Sequence, residues 1–119
     1  MPNLIHLNQN AFVKGRSIFD AVRSIDNIVD YSKRNGWLGI LVAIDFEKAF
    51  DTINFNLLIR TLHKFNFGPS FIQWIRLLYE HSSSCVMNNG FTTGPFPLGR
   101  GVRQGDQLSP YLFILTLET

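Results

Sequence analysis

Ile18, Val22, Ile25, Ile28 and Val29 recur three or four residues apart, so in a helix they share one side while charged residues fill the other. Ser17 followed by Asp20 makes a capping-type entrance and Asn35-Gly36 makes a stop, which predicts an amphipathic helix between them. The pattern then changes. Gly39-Ile-Leu-Val-Ala-Ile-Asp-Phe46 is a short apolar run rich in β-branched residues. Such a run is too short for an ordinary helix and predicts a strand buried on both faces, with Asp45 at its C-terminal end. Leu57, Leu58, Leu62 and Phe65 predict a second helix within residues 54–67, ending near Gly68. Pro69-Ser70 opens a third within residues 69–81, carrying Phe71, Trp74, Ile75, Leu78 and Tyr79.

Downstream the texture is that of short strands and loops. Cys85-Val-Met87 and Phe91-Thr-Thr93 flank Asn89-Gly90, the pair preferred in tight hairpin turns, and predict a β-hairpin. Glycines at 94, 99, 101 and 105 and prolines at 95 and 97 mark a loop, after which Ser109-Pro110 supplies an N-cap and first-turn proline for a last helix running into Leu117. No repeat, low-complexity tract or linker divides the chain.

Composition adds limits. With 119 residues, 45% hydrophobic and 13% aromatic, the chain can build a globular core, and core packing is the expectation for most of its eleven phenylalanines. A net charge of +2 permits a nucleic-acid partner without the dense basic field that would announce one. One cysteine and three scattered histidines give no disulfide and no metal-ligand spacing, which fits a reduced intracellular compartment. Neither a signal peptide nor an 18-residue apolar span is present, so a membrane partner is not expected.

Two places carry candidate chemistry. Asp45 directly follows an apolar run, where a buried carboxylate would need a metal, a hydrogen bond or an ion pair such as one with Lys48. Asp51, just before Thr52 and Asn54, reads as a cap for the helix that follows. The second place is Arg100-Gly-Val-Arg-Gln-Gly-Asp-Gln-Leu-Ser-Pro110, where Gly101 and Gly105 allow close backbone approach and Arg100, Arg103 and Gln104 offer donors. Taken alone it reads equally as a tight connection into the last helix.

Three segments carry a resemblance. Ala43-Ile-Asp-Phe-Glu-Lys-Ala-Phe-Asp-Thr-Ile53 resembles the first polymerase motif of LINE-type and group II intron-type reverse transcriptases. Gly101-Val-Arg-Gln-Gly-Asp-Gln-Leu-Ser-Pro-Tyr-Leu-Phe113 is similar to their second palm motif, and Asn8-Gln-Asn-Ala-Phe-Val-Lys-Gly-Arg-Ser17 to the fingers segment before both. The order is that of the family, and the likeness spans nearly the whole chain. Ala11, Lys14 and Gln107 stand where many relatives have glycine, proline and proline.

The resemblance implies an α+β fold: a partial polymerase palm, with an antiparallel sheet backed by the helices at 54–67 and 69–81, and part of the fingers. About 1–36 would be the fingers segment and about 37–119 the palm. It implies RNA-directed DNA polymerase activity, with an RNA template, a DNA primer and deoxynucleoside triphosphates as partners and two Mg²⁺ ions as cofactors. Asp45 would be the catalytic carboxylate, bridging the ions, with the carbonyl of Phe46 as a further ligand. Phe50 would exclude a ribose 2′ hydroxyl, or stand as an ordinary core residue. Gln104 and Gly105 would lie beside the nucleotide and templating base, with Arg103 near the nucleic acid, and Lys14 and Arg16 would contact phosphates or remain solvated. The family's aromatic-Ala-Asp-Asp motif does not occur by Thr119, so the chain is expected to be an incomplete piece and inactive alone. Nucleus and cytoplasm are both compatible with a retroelement product. Two other readings compete: a non-catalytic nucleic-acid-binding remnant of a degenerate copy, and an unrelated metal phosphohydrolase using Asp45 and Asp51.

Overall fold

The structure, a computed structural model, describes residues 4–119 and divides the chain into two compact units, Met1–Glu47 and Lys48–Thr119. In the first unit the described residues begin with a series of turns around buried Ile5 and Val13. The Arg16 guanidinium closes them, donating to the carbonyls of Ile5 at 3.1 Å and Gln9 at 2.8 Å and to that of His6. Helix α1 (Ile18–Arg34) starts where expected: the Ser17 hydroxyl accepts from the Phe19 N–H, and Asp20 lies in the first turn near the positive end of the helix dipole. It stops at Gly36, whose φ of +65° lets the Trp37 N–H reach the Ser32 carbonyl at 2.9 Å, while the Trp37 ring meets Tyr31 edge-on.

Beyond α1 the structure departs from expectation. Residues 37–46 form no strand. Their side chains are not buried either, Leu38, Ile40 and Ile44 being almost fully exposed. A strand exists only when a neighbour takes its backbone N–H and C=O groups, and the described residues supply no such neighbour to this run. The apolar face of α1 is likewise uncovered, with Ile18, Val22, Ile25 and Ile28 exposed.

In the second unit three helices surround an aliphatic core. Helix α2 (Phe55–Lys64) packs against both α3 (Pro69–Tyr79) and α4 (Ser109–Leu117). Leu58 and Leu62 of α2, Ile72 and Ile75 of α3, and Leu112 and Leu115 of α4 fill the space between them. Helix α2 ends at Asn66, with φ +57°, where the Phe67 N–H returns to the Leu62 carbonyl. Gly68, expected as the stop, instead serves as the N-cap position of α3, and the rings of Phe67 and Phe71 stack at 5.2 Å. The core holds no phenylalanine: every buried apolar residue among those described is Ile, Leu, Val or Tyr, against the expectation for the eleven Phe.

The β structure lies between α3 and α4. Strands β2 (Met87–Asn88) and β3 (Phe91–Thr92) form the expected hairpin, with positive φ at both Asn89 and Gly90. The chain doubles back further, pairing β1 (Ser83–Ser84) with β4 (Phe96–Pro97). The elements are therefore α+β, but the β part consists of two short antiparallel ladders and lacks the central strand expected at 39–46. No helix of the described residues is long and apolar enough to cross a membrane.

One glycine in the second unit is both crowded and in the left-handed region. Gly101 has φ +94°, and a Cβ there would lie 3.2 Å from the Asp51 Cα and 3.3 Å from its carbonyl oxygen. Gly101→Ala should destabilise this unit by roughly 1–3 kcal/mol, from a left-handed backbone conformation and backbone crowding together. Urea unfolding is the measurement, and an unchanged midpoint would remove the constraint.

Candidate functional site

The second unit opens on a turn. Lys48, with φ +50°, accepts at its carbonyl from the N–H groups of Asp51 at 2.9 Å and Thr52 at 3.2 Å. The Asn54 side chain, not that of Asp51, caps α2, accepting from Asn56 N at 2.9 Å and Leu57 N at 3.2 Å. Asparagine directly before an apolar helical run is a cap signal that outranks a carboxylate three residues earlier.

The Gly-Arg loop lies along this turn. The Gly101 N–H donates to the Ile53 carbonyl and the Val102 N–H to the Phe50 carbonyl, each at 2.8 Å, while Asn54 pairs with Arg100 as an isolated antiparallel bridge. The chain then turns sharply at Arg103–Asp106, where the Asp106 N–H returns to the Arg103 carbonyl and Gly105 takes φ +85°. Gln104 occupies the corner and is exposed. Its Nε2 donates to Asp51 Oδ1 at 3.2 Å and Oδ2 at 3.3 Å.

The loop enters α4 differently from expectation. Asp106 Oδ1 accepts from the Leu108 N–H at 3.0 Å, whereas Ser109 is buried in the first turn and does not cap it. No side chain caps α4: the Asp106 carboxylate closes an Asx-type turn just before it, and the first-turn Pro110 has no N–H to satisfy. Phe50 is half-buried, its ring 5.4 Å from that of Phe113 on α4 at an interplanar angle of 58°. Beneath the loop lies Tyr79, almost fully buried. Burial pushes its phenol above the ordinary value; the neighbouring Ser109 hydroxyl offsets part of that, although neither hydroxyl makes a hydrogen bond of full geometry.

The structure thus gathers Phe50, Arg103, Gln104 and Gly105 around one backbone junction of the second unit, and adds Asp51, Asp106, Tyr79 and Phe113 to it. Asp45 and Phe46 belong to the first unit, at the end of the apolar run, and both are exposed. Lys14, also in the first unit, is exposed near Arg16, whose guanidinium is engaged with three carbonyls. Among the described residues no three His, Cys, Asp or Glu side chains converge as a metal-binding group. A two-ion centre needs several convergent carboxylates.

The family described as "Reverse transcriptase (RNA-dependent DNA polymerase)" matches residues 1–119. The chain is 37% identical over 118 residues, 99% of its length, to the "Transposon TX1 uncharacterized 149 kDa protein" of Xenopus laevis. It is 26% identical over 110 residues, 92% of its length, to the "Retrovirus-related Pol polyprotein from type-2 retrotransposable element R2DM" of Drosophila melanogaster. A type-1 R2 element polyprotein of Popillia japonica is 31% identical over 78 residues, 66% of the chain. The chain spans 9%, 10% and 13% of these three relatives respectively.

Two outcomes follow from the junction itself. Phe50→Val should cost roughly 1–2 kcal/mol in urea unfolding. Paired with Phe113→Val it should cost less than the two single changes added, by roughly 0.5–1.5 kcal/mol; strict additivity would mean the rings do not support one another. For Tyr79 the folded-state pKa is raised. The stability it contributes is therefore fully present below the ordinary phenol value of about 10 and is lost as pH rises through the folded value. Tyr79→Phe should lose less stability than the parent on going above about pH 10, and parallel alkaline profiles would refute this.

Proposed function

The chain belongs to the reverse transcriptase (RNA-dependent DNA polymerase) family, and on that premise we propose that it forms part of the nucleotide-addition site of a non-LTR retrotransposon enzyme that copies RNA into DNA. The observation that carries the reading is Gln104, exposed at the corner of a glycine-permitted turn and tied to the segment that bears Phe50. A side chain so held can present an amide to a base or sugar without the cost of ordering a free loop.

In this reading the primer 3′ oxygen attacks the α-phosphorus of a deoxynucleoside triphosphate and pyrophosphate leaves. Phe50, its ring tilted at 58° to that of Phe113, offers the part of its ring left exposed as a wall where a ribose 2′ hydroxyl would sit. Gln104 and the Gly105 backbone contact the incoming nucleotide and the templating base. Lys14 and Arg103 contact strand phosphates, and Arg16, already committed to three carbonyls, contributes charge there rather than a dedicated hydrogen bond. The family works with divalent metal ions; Asp45 as the catalytic carboxylate and the Phe46 carbonyl are the proposed ligands, with Mg²⁺ as the ion. The RNA template, DNA primer and an intracellular place of action, nuclear or cytoplasmic, belong to the same reading.

The full-length enzyme provides the test. Asp45→Ala should reduce primer extension by at least about a thousandfold while leaving primer–template affinity within roughly twofold, because the carboxylate acts on the reacting phosphate through metal and not on the duplex. Phe50→Val should raise the kcat/KM ratio of ribonucleotide to deoxynucleotide by roughly tenfold or more. A variant that stays folded with its sugar preference unchanged would return Phe50 to a purely packing role.

A further inference from the structure

Asp51 accounts for nothing in helix formation, since Asn54 occupies the entrance of α2. Its carboxylate is exposed, as is the Gln104 amide that it meets 53 residues later in the chain. Both carboxylate oxygens accept from the same nitrogen, at 3.2 and 3.3 Å. A carboxylate only accepts, so the amide must turn its NH₂ group toward Asp51. That choice settles the other end: Oε1 is directed away from Asp51. An exposed glutamine left alone rotates about its terminal torsion, which has two broad, nearly equivalent wells.

The backbone that carries the carboxylate is well anchored. The Asp51 N–H donates to the Lys48 carbonyl at 2.9 Å, and the Asp51 backbone sits against Gly101, where no Cβ intervenes. The loop returns the contact through Val102 N–H and Phe50 C=O at 2.8 Å. Backbone at both ends of the Asp51–Gln104 contact is thus fixed by bonds that do not involve either side chain.

The geometry points to Asp51 as a positioning residue that sets the amide orientation of Gln104, and with it which edge of a nucleotide base or sugar the glutamine reads. This rests on the reading of Gln104 as a nucleotide contact. Asp51 acts through its acceptor oxygens rather than its charge, which separates it from a carboxylate that binds metal or repels phosphate. Asparagine keeps one acceptor oxygen at the same reach; alanine keeps none.

The test uses the full-length enzyme with steady-state primer extension. Asp51→Ala should raise the KM for the nucleotide roughly threefold to tenfold with a smaller change in kcat, consistent with the loss of one hydrogen-bond acceptor in an exposed setting. Asp51→Asn should restore most of the parent KM, and primer–template affinity should be unchanged in both. In a Gln104→Ala background, Asp51→Ala should add no further rise. A rise in the Asn variant equal to that in the Ala variant, or additive effects of the two alanines, would overturn the inference. A Gln104→Ala enzyme with a raised nucleotide KM beside an unaffected Asp51→Ala enzyme would overturn it while sparing the nucleotide reading. A Gln104→Ala enzyme with unchanged KM would remove both. Should Asp51→Ala lower the thermal midpoint, the Asn variant and the double-alanine comparison still decide.

Discussion

Residues 50–54 and 100–102 are joined by backbone hydrogen bonds that need a glycine at 101, and most of the second unit is arranged by that junction. It holds the entrance of α2 beside the loop that leads into α4, and α2 in turn packs on both neighbouring helices. A Cβ at 101 would crowd the backbone of Asp51, and the φ of +94° would strain any other residue there. Because each bond runs between main-chain atoms, the register between the two segments does not depend on which side chains the turn carries. Asp51, Gln104 and Phe50 can therefore be committed to other tasks.

The division of labour among apolar residues follows the same logic. Aliphatic side chains from α2, α3 and α4 interdigitate and are almost wholly buried, while phenylalanines lie at the margins, where Phe50 meets Phe113 and Phe67 meets Phe71. Small branched side chains fill a narrow three-helix interior more closely than rings do. Rings at the margin remain available to a ligand or a partner surface.

Much of this was legible in the residues. The entrance and stop of α1, the presence of α2 and α3, the Asn89-Gly90 hairpin and the Gly101 and Gly105 turns all rest on local backbone chemistry, which a sequence carries in full. The failures share a different origin. Residues 39–46 have strand composition, but a strand needs a partner, and pairing is not a local property. Asp51 and Ser109 both look like caps, yet Asn54 caps α2 in place of the first, and the second is buried in the first turn of a helix that no side chain caps. The Asp51–Gln104 contact, across 53 residues, leaves no local signal at all. Of the residues gathered at the junction, Phe50, Arg103, Gln104 and Gly105 were singled out by the two palm motifs, and only the fold could say that Phe50 lies beside Phe113 and that Tyr79 sits beneath the loop.

The uncovered run before Asp45 has a colloidal consequence. Ile40-Leu-Val-Ala-Ile44 is β-prone, lacks charge and proline, and exposes most of its side chains, which is the profile of a segment that stacks with copies of itself. Asp45 is the charge that closes it, in the position from which a charged residue would oppose such stacking. A neutral residue at 45 would extend the uncharged run through Phe46, up to Glu47. Loss of soluble protein after such a change would then track a missing repulsion between molecules, and a charge-retaining Asp45→Glu is the variant that separates the two effects.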